Sequence, residues 1–340
     1  MKALLERLLE REDLSEREAH GLLVGLTAPD CPPALAGALL AALRAKGVSA
    51  IELRGFAGAM RELARRPQLP PGPEAVDIVG TGGDRSGSLN LSTGAALLTA
   101  AAGQRVVKHG NRSVSSRAGA ADVLEALGLA LPLDEQAAGR CLAATNFTFL
   151  FAPHYHPAMK NIAPVRQALG VRTVFNMLGP LTNPAAPAYH LIGAYSSDAA
   201  GLLANALAGM PLARAFVVHG ADGWDEPTPV GEFELYDVSP GRVRRTTRSP
   251  EDYGLPRCRS AELIGGDAAH NAAALRRALG GEERGPHRHA LLLGAALALE
   301  VCGQAADPAA GVARAAAAID GGAAQRLLEA LARFGAGGAS

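Results

Sequence analysis

GTGGDRSGSLNLSTG, residues 80–94, directly follows the apolar run AVDIV at 75–79, where a folded chain is expected to turn from a strand into a packed helix. A strand that ends in a glycine turn and enters a helix opening with Ser92 and Thr93 can hold phosphate. Backbone N–H groups approach closely where no Cβ intervenes, and the helix N-terminus adds partial positive charge. Taken alone, an ordinary strand-to-helix turn with a hydroxyl cap fits the same residues. The spacing is not GxxxxGK[ST], since no lysine follows the glycines, and it is not GxGxxG, so neither a nucleotide-hydrolase nor a dinucleotide site is supported.

Around this loop, short apolar runs alternate with Ala-rich helical stretches: AVDIV, STGAALLTAAAG, QRVVKHG, AGAADVLEALG, YHLIGAY, ANALAGM, ARAFVVHG. Strand then helix, repeated, implies parallel strands with helical crossovers. The expected fold class is α/β, with a small N-terminal helical domain and a larger α/β domain built on a mainly parallel central sheet. Residues 1–70 read as the helical domain. SEREAHGLLVGL and SAIELRGF each carry a capping box, Ser15 with Glu18 and Ser49 with Glu52, and between them Pro33 opens a helix that ends at Gly47. RRPQLPPGPE, residues 65–74, reads as the linker, and 75–335 as the α/β domain. Residues 157–183 break the strand–helix rhythm and are expected to pack on the helical bundle. After Gly220 the chain reads as a polar loop, the basic stretch RVRRTTRSPEDYG, two closing helices near 287–302 and 308–333, and a frayed tail, GAGGAS.

Composition narrows the function. Hydrophobic residues are 48% of the 340, but aromatic ones only 4%, so Ala, Leu and Val must fill the core, which favours helices packed on sheets. Lys plus Arg number 33, as do Asp plus Glu, so no overall charge draws the chain to nucleic acid or an anionic membrane, and any anion site is local. RVRRTTR is read as a solvated face beside SPED rather than a nucleic-acid patch. Cys31, Cys141, Cys258 and Cys302 are widely spaced with no CxxC pair, which points away from zinc and disulfides and toward a reducing cytoplasm. The N-terminus, MKALLERLLERED, lacks a signal-peptide core, and no window of ~18 apolar residues occurs, so a soluble protein is expected.

Two further strand ends carry chemistry. VVKHGNRSVSSR places Lys108, His109, Asn111, Arg112, Arg117 and three serines in one segment, and consecutive strand ends of a doubly wound sheet open onto the same crevice. AFVVHG runs into ADGWDE, where Asp222, Asp225 and Glu226 cluster without a basic neighbour; beside a phosphate crevice such carboxylates suit magnesium, and without one they are an exposed acidic turn. His154 and His156 of PHYHP have no third ligand in view and read as turn packing.

In this order, DIVGTGGD, NLST, VKHGNRSVSS, ADVLEALG, FLFAP, HPAMK, PVRQALGVRTVFNMLGPLTNPA and HGADGWDE closely resemble the anthranilate phosphoribosyltransferase family of tryptophan biosynthesis, over about residues 77–226. The same fold occurs in pyrimidine nucleoside phosphorylases, whose second loop differs from KHGNRSVSS. The resemblance implies displacement of pyrophosphate from phosphoribosyl pyrophosphate by the amine of anthranilate, with inversion at C1. It implies that Gly80, Gly83, Asp84, Ser88, Asn90, Leu91, Ser92 and Thr93 cradle phosphoribosyl pyrophosphate. Lys108, in an electrostatic role, and Asn111, Arg112, Ser113, Val114, Ser115 and Ser116 would complete the contacts, together with position 120. Ser92, Asp225 and Glu226 would hold one or two Mg²⁺ ions. Gly80, Asn111 and Arg166 would meet anthranilate, with His109, Ala152, Pro153 and Gly179 along its path. No covalent nucleophile is implied. A homodimer joined through the helical domain is expected, while association with an anthranilate synthase is not readable. Three positions depart from the family: Ala120 stands where many relatives have serine, Arg85 where a small residue is frequent, and PTPVGEFELYDV follows Glu226 in place of the usual turn. A phosphorylase would instead release free base and need phosphate, and a non-catalytic nucleic-acid-binding relative would show excess positive charge, which this chain lacks.

Overall fold

The computed structural model describes residues 1–84, 86–113 and 117–337. Four helices open the chain: α1 (Lys2–Leu9), α2 (Glu16–Leu26), α3 (Pro33–Lys46) and α4 (Ala50–Glu62). Both expected capping boxes form. The Ser15 and Ser49 hydroxyls accept from the N–H groups of Glu18 and Glu52, and each glutamate reaches back to its cap. α3 starts on Pro33 and ends at Gly47, whose φ of +90° is a conformation that suits glycine.

The larger part is a seven-stranded sheet in the order β3-β2-β1-β4-β5-β6-β7. β1 (Val76–Gly80), β2 (Val106–Gly110), β3 (Phe147–Phe151), β4 (Tyr189–Gly193) and β5 (Arg214–His219) run parallel, while β6 (Phe233–Ser239) and β7 (Arg242–Arg248) extend the sheet as an antiparallel hairpin. The crossover helices are α5 (Leu91–Ala101), α6 (Ala120–Ala126), α7 (Glu135–Thr145), α8 (Ala152–Tyr155), α9 (Met159–Leu169), α10 (Phe175–Leu178) and α11 (Ser197–Ala208). Helices α12 (Ala268–Leu279), α13 (Pro286–Val301), α14 (Pro308–Asp320) and α15 (Ala323–Gly337) close the chain.

Alternation along the parallel strands feeds two cores. Leu191, Phe216 and Val218 join the core made with α5 and the closing helices, whereas Ile192, Ala215 and Val217 point to the other face, into a core shared with α11 and the N-terminal bundle. Residues of the 157–183 stretch belong to this second core through Ile162, Phe175 and Leu178, and Asn161 Nδ2 donates to Thr27 O at 2.7 Å.

The structure departs from the sequence reading in five places. NFTFLF forms β3, a short aromatic run without flanking turn signals. The supposed loop after Gly220 contains β6, in which Phe233, Leu235 and Val238 are buried, and the basic stretch is β7 itself. As the edge strand, β7 exposes its arginines, which blunts pairing with another chain, and Arg248 turns inward to Glu300. The last helical region is two helices, parted at Gly321–Gly322, where Gly322 has φ +73°, and α12 had no counterpart in the reading. The tail is helical to Gly337, because Gly335 packs so tightly that a Cβ there would lie 2.0 Å from Gly128 O; residues 338–340 lie outside the described ones. No helix among the described residues is long and apolar enough to cross a membrane.

Two glycines in the bundle make opposite predictions. A Cβ on Gly21, exposed inside α2, meets nothing within 4 Å, so Gly21→Ala should stabilise by about 0.5–1 kcal/mol. On Gly55 of α4 a Cβ would lie 2.2 Å from Glu16 O, so Gly55→Ala should pry α2 from α4 and destabilise by about 1–3 kcal/mol. Urea unfolding of both variants measures the signs, and a stable Gly55→Ala would contradict the packing.

Candidate active site

The strand ends bring the sequence motifs together. β1 runs into the glycine loop, in which Gly82 and Gly83 have φ +70° and +81°, and α5 starts at Leu91 on its far side. The loop is strapped from behind by the 263–265 segment: Leu89 N donates to Leu263 O and Gly265 N to Gly87 O, each at 2.9 Å. Asn90 joins three elements, since its Nδ2 donates to Ala118 O at 3.1 Å and its Oδ1 accepts from Asn271 Nδ2 at 2.8 Å. Leu91 and Thr93 are buried in the base of α5, so their side chains shape the loop rather than face the crevice.

The acidic turn after β5 crosses the strand tips at very short range. A Cβ on Gly80 would lie 2.5 Å from Asp225 Oδ2, one on Gly193 1.6 Å from Asp225 O, and one on Gly220 2.2 Å from Glu226 O. Glycine at these three tips lets Asp225 and Glu226 reach over the sheet to the glycine loop. There Gly82 N–H donates to Asp225 Oδ2, and Ser92 N–H at the start of α5 donates to Glu226 Oε1 at 3.0 Å. Asp222 is not part of this group. It is exposed and accepts from Ser260 Oγ at 2.6 Å.

Electrostatically the cluster is incomplete. Burial, with Asp84 and Asp225 close by, raises Asp225 to about 7 and Glu226 to about 8, and Glu226 Oε2 is sealed from water with no hydrogen-bond partner among the described residues. Lys108, on β2, is buried and donates to Ile78 O and, at 3.4 Å, to Ser92 Oγ. Desolvation lowers its pKa, while Asp77, Glu226 and Asp225 raise it. One buried ammonium therefore faces an excess of carboxylates, all hard oxygen donors. Among the described residues no three His, Cys, Asp or Glu side chains form a closed metal cage. The set suits a divalent cation that takes its remaining ligands from phosphate or water, which is the usual habit of magnesium.

The second loop lies across from the first. Asn111 is exposed at its start, and Arg112 is engaged by Glu125 and Asp122, with its guanidinium 5.6 Å from the Phe151 ring centroid. The Ser113 N–H donates to Asp122 Oδ2 at 3.1 Å. Arg112 must change partners to meet a phosphate. Val114, Ser115, Ser116 and Arg85 lie outside the described residues. Ala120 opens α6 behind Gly119, where a Cβ would strike Ser113 N at 2.3 Å.

Beside the glycine loop, between sheet and bundle, is a cleft of about 300 Å³. Its walls include His109, Asn111, Ala152, Pro153, Arg166 and Gly179. The Arg166 guanidinium lies 4.9 Å from the Phe175 ring centroid and has no hydrogen bond or ion pair among the described residues, and burial lowers its pKa. An unpaired arginine fork in a part-buried cleft is suited to a carboxylate. His109 Nδ1–H donates to Gly179 O at 3.2 Å, and burial together with His156 holds this histidine neutral, at about 3.

Three residues of the site were not singled out in the sequence. Arg172 donates to Gly83 O and stacks 4.3 Å from the Tyr195 ring centroid, tying the 157–183 stretch to the glycine loop. Asp77 and Asn183 form a buried pair at 2.9 Å. A charged residue inside AVDIV was the available signal for Asp77. Arg172 and Asn183 lay unmarked within GVRTVFN and GPLTNP, and only the fold brings them to the site.

The raised carboxylate pKa values make a stability prediction. The folded protein holds these protons more tightly than the unfolded chain, so without metal Asp225 and Glu226 cost stability increasingly as pH rises from 3.8 and 4.5 toward about 7 and 8. In chelator, Asp225→Asn with Glu226→Gln should therefore gain stability relative to the parent between about pH 5 and about pH 8. Urea titrations at several pH values test this, and a gap that narrows as pH rises contradicts it.

Comparisons with known proteins find the same two-part architecture. The profile described as "Glycosyl transferase family, helical bundle domain" matches residues 2–64, and "Glycosyl transferase family, a/b domain" matches residues 72–325. An anthranilate phosphoribosyltransferase of Methylobacterium nodulans is 47% identical, with 97% of each chain covered, and one of Rubrobacter xylanophilus is 45% identical, with 97% of this chain and 96% of the relative covered. The crystal structure of anthranilate phosphoribosyltransferase from Thermus thermophilus superposes with a TM-score of 0.91 at 42% identity, over 98% of this chain and 99% of that one. The Saccharomyces cerevisiae enzyme in complex with PRPP and Mg superposes with a TM-score of 0.89 at 27% identity, over 98% and 96%. With identity sustained over nearly the whole length and the same two-part architecture, the chain belongs to the anthranilate phosphoribosyltransferase family.

Proposed function

We propose that the protein transfers the phosphoribosyl group of phosphoribosyl pyrophosphate to anthranilate, giving N-(5-phosphoribosyl)anthranilate and pyrophosphate, a step of tryptophan biosynthesis. The observation that carries this reading is the juxtaposition of an under-neutralised carboxylate cluster at a phosphate-type loop with an unpaired arginine in the adjoining cleft. In the proposed complex the C1–O bond to pyrophosphate breaks, the amine nitrogen bonds to C1 from the opposite face, and the nitrogen then loses its proton.

Asp225, Glu226 and Ser92 would hold Mg²⁺, which when bound offsets the negative charge on the pyrophosphate. The backbone N–H groups of Gly80 and Gly83, the residues Asp84, Ser88, Asn90 and Ser92, with Leu91 and Thr93 shaping the loop, and Asn111, Arg112 and Ser113 would meet the phosphates and ribose, as would Val114, Ser115 and Ser116, which lie outside the described residues. Lys108 places positive charge beneath them without facing bulk water. Arg166 orients the anthranilate carboxylate, Asn111 its reacting edge, and His109, uncharged, lines the ring's path. No basic nucleophile is required, because an aromatic amine already carries its lone pair and the site's work is electrostatic and positional.

The same reading divides the chain into a helical unit, 1–70 with about 157–183, and an α/β unit, 75–335. It makes the protein a cytoplasmic homodimer joined through the bundle. The exposed apolar residues Leu9, Val24 and Ile51 on α1, α2 and α4 support the dimer, and the wide spacing of the four cysteines, with no CxxC pair, supports a reducing compartment. Ala120 supplies no side-chain hydrogen bond to substrate, in contrast to a serine there.

Purified protein mixed with anthranilate, phosphoribosyl pyrophosphate and Mg²⁺ should consume anthranilate, read as loss of its fluorescence, with equimolar pyrophosphate and none without metal. Absence of turnover would reject the acceptor. Arg166→Ala should raise KM for anthranilate about tenfold or more while moving that for phosphoribosyl pyrophosphate less than about threefold. An equal rise in both would reject the role given to Arg166.

A further inference from the structure

The segment 178–183, LGPLTN, forms one wall of the cleft and is tethered from three sides. His109 Nδ1–H, on β2, donates to Gly179 O at 3.2 Å, and Arg61 Nε–H, on α4, donates to Leu181 O at 2.8 Å. From β1, Asp77 Oδ2 accepts from Asn183 Nδ2 at 2.9 Å, and the same amide donates to Val107 O at 2.8 Å. Asp77 uses its other oxygen for the His109 N–H at 3.2 Å, and Asn183 Oδ1 accepts from Ala185 N at 2.9 Å. Both side chains are fully buried.

Each residue thus spends most of its hydrogen-bonding capacity on one arrangement, which leaves the pair a single orientation. A carboxylate at this depth is a poor source of stability, since well-packed apolar groups hold a strand to a loop as firmly. What the pair does hold is a distance. β1 and β2 lead directly into the two phosphate loops, and Asn183 ends the segment that carries Leu178, Gly179 and Thr182 into the cleft.

We propose that Asp77 and Asn183 are positioning residues for the acceptor, which lock the cleft wall to the bodies of β1 and β2, behind the tips that carry the two loops, so that the aromatic amine stands in line with C1 of the ribose. The inference rests on the cleft being the anthranilate site. Neither side chain touches substrate; they act through His109 and the 178–183 backbone. Displacement of that wall shifts the ring while the glycine loop and the acidic turn keep their places.

The test compares steady-state kinetics of Asn183→Ala and Asp77→Asn, with Arg166→Ala alongside and folding checked by circular dichroism and melting. In Asn183→Ala, kcat/KM for anthranilate should fall about tenfold while KM for phosphoribosyl pyrophosphate stays within about threefold, and the order of preference among ring-substituted anthranilates should change. Asp77→Asn keeps the size but turns one acceptor into a donor, so it should move the same constants in the same direction by a smaller factor. A folded Asn183→Ala with a lowered melting point and unchanged acceptor kinetics overturns the proposal, as does an equal change for both substrates. If Asn183→Ala does not fold, Asp77→Asn decides, and unchanged acceptor constants overturn it. An effect in Arg166→Ala but not in the pair defeats the positioning role alone, and no effect in any of the three defeats the cleft assignment.

Discussion

The geometry of the site depends on a close crossing: the turn carrying Asp225 and Glu226 passes over the tips of β1, β4 and β5 at distances that only glycine permits. Any side chain at Gly193 would occupy the Asp225 carbonyl, and one at Gly80 its carboxylate. Because the turn sits so low, its carboxylates reach the N–H groups of Gly82 and Ser92 and lose most of their water. Desolvation with mutual repulsion then makes them hold their protons, with the adjacent Lys108 supplying only part of the compensation that their ionised form requires. Steric freedom at three strand ends thus becomes an electrostatic property.

A second consequence of the architecture is the separation of duties between the two faces of the sheet. The face packed on α5 and the closing helices builds a rigid base for the phosphate loops. The opposite face, with α11 and the bundle, opens into the cleft that holds Arg166 and His109. In the proposed function a donor held through its phosphates and an acceptor held through a carboxylate would meet at the seam, and the contacts of Arg61, Asp77 and Asn183 cross that seam.

The legible parts of the chain were those governed by local rules. The capping boxes of α2 and α4, the Pro33 start and Gly47 stop of α3, and the apolar runs of β1, β2, β4 and β5 all follow from nearest-neighbour chemistry. β3, β6 and β7 escaped, because an aromatic run, a strand interrupted by charges and an arginine-rich edge become strands only when a neighbour is there to pair with them. Asp222 was grouped with Asp225 and Glu226 by proximity along the chain. A positive φ of 57° turns it away to Ser260, which is a choice of backbone and not of composition.

The amino-acid sequence by itself determined the alternation of strands and helices, the chemistry offered at each strand end, and the family, since all three are written in short ordered motifs. Only the tertiary structure decided which of these residues share a site. It paired Asp77 with Asn183 across 106 positions, left Arg166 stacked on Phe175 with no hydrogen bond or ion pair among the described residues, occupied Arg112 with Glu125, and pressed the acidic turn onto the glycine loop. Contacts between residues so far apart depend on how the sheet and bundle close on each other. That closure is set by the packing of two whole cores, which no local pattern encodes.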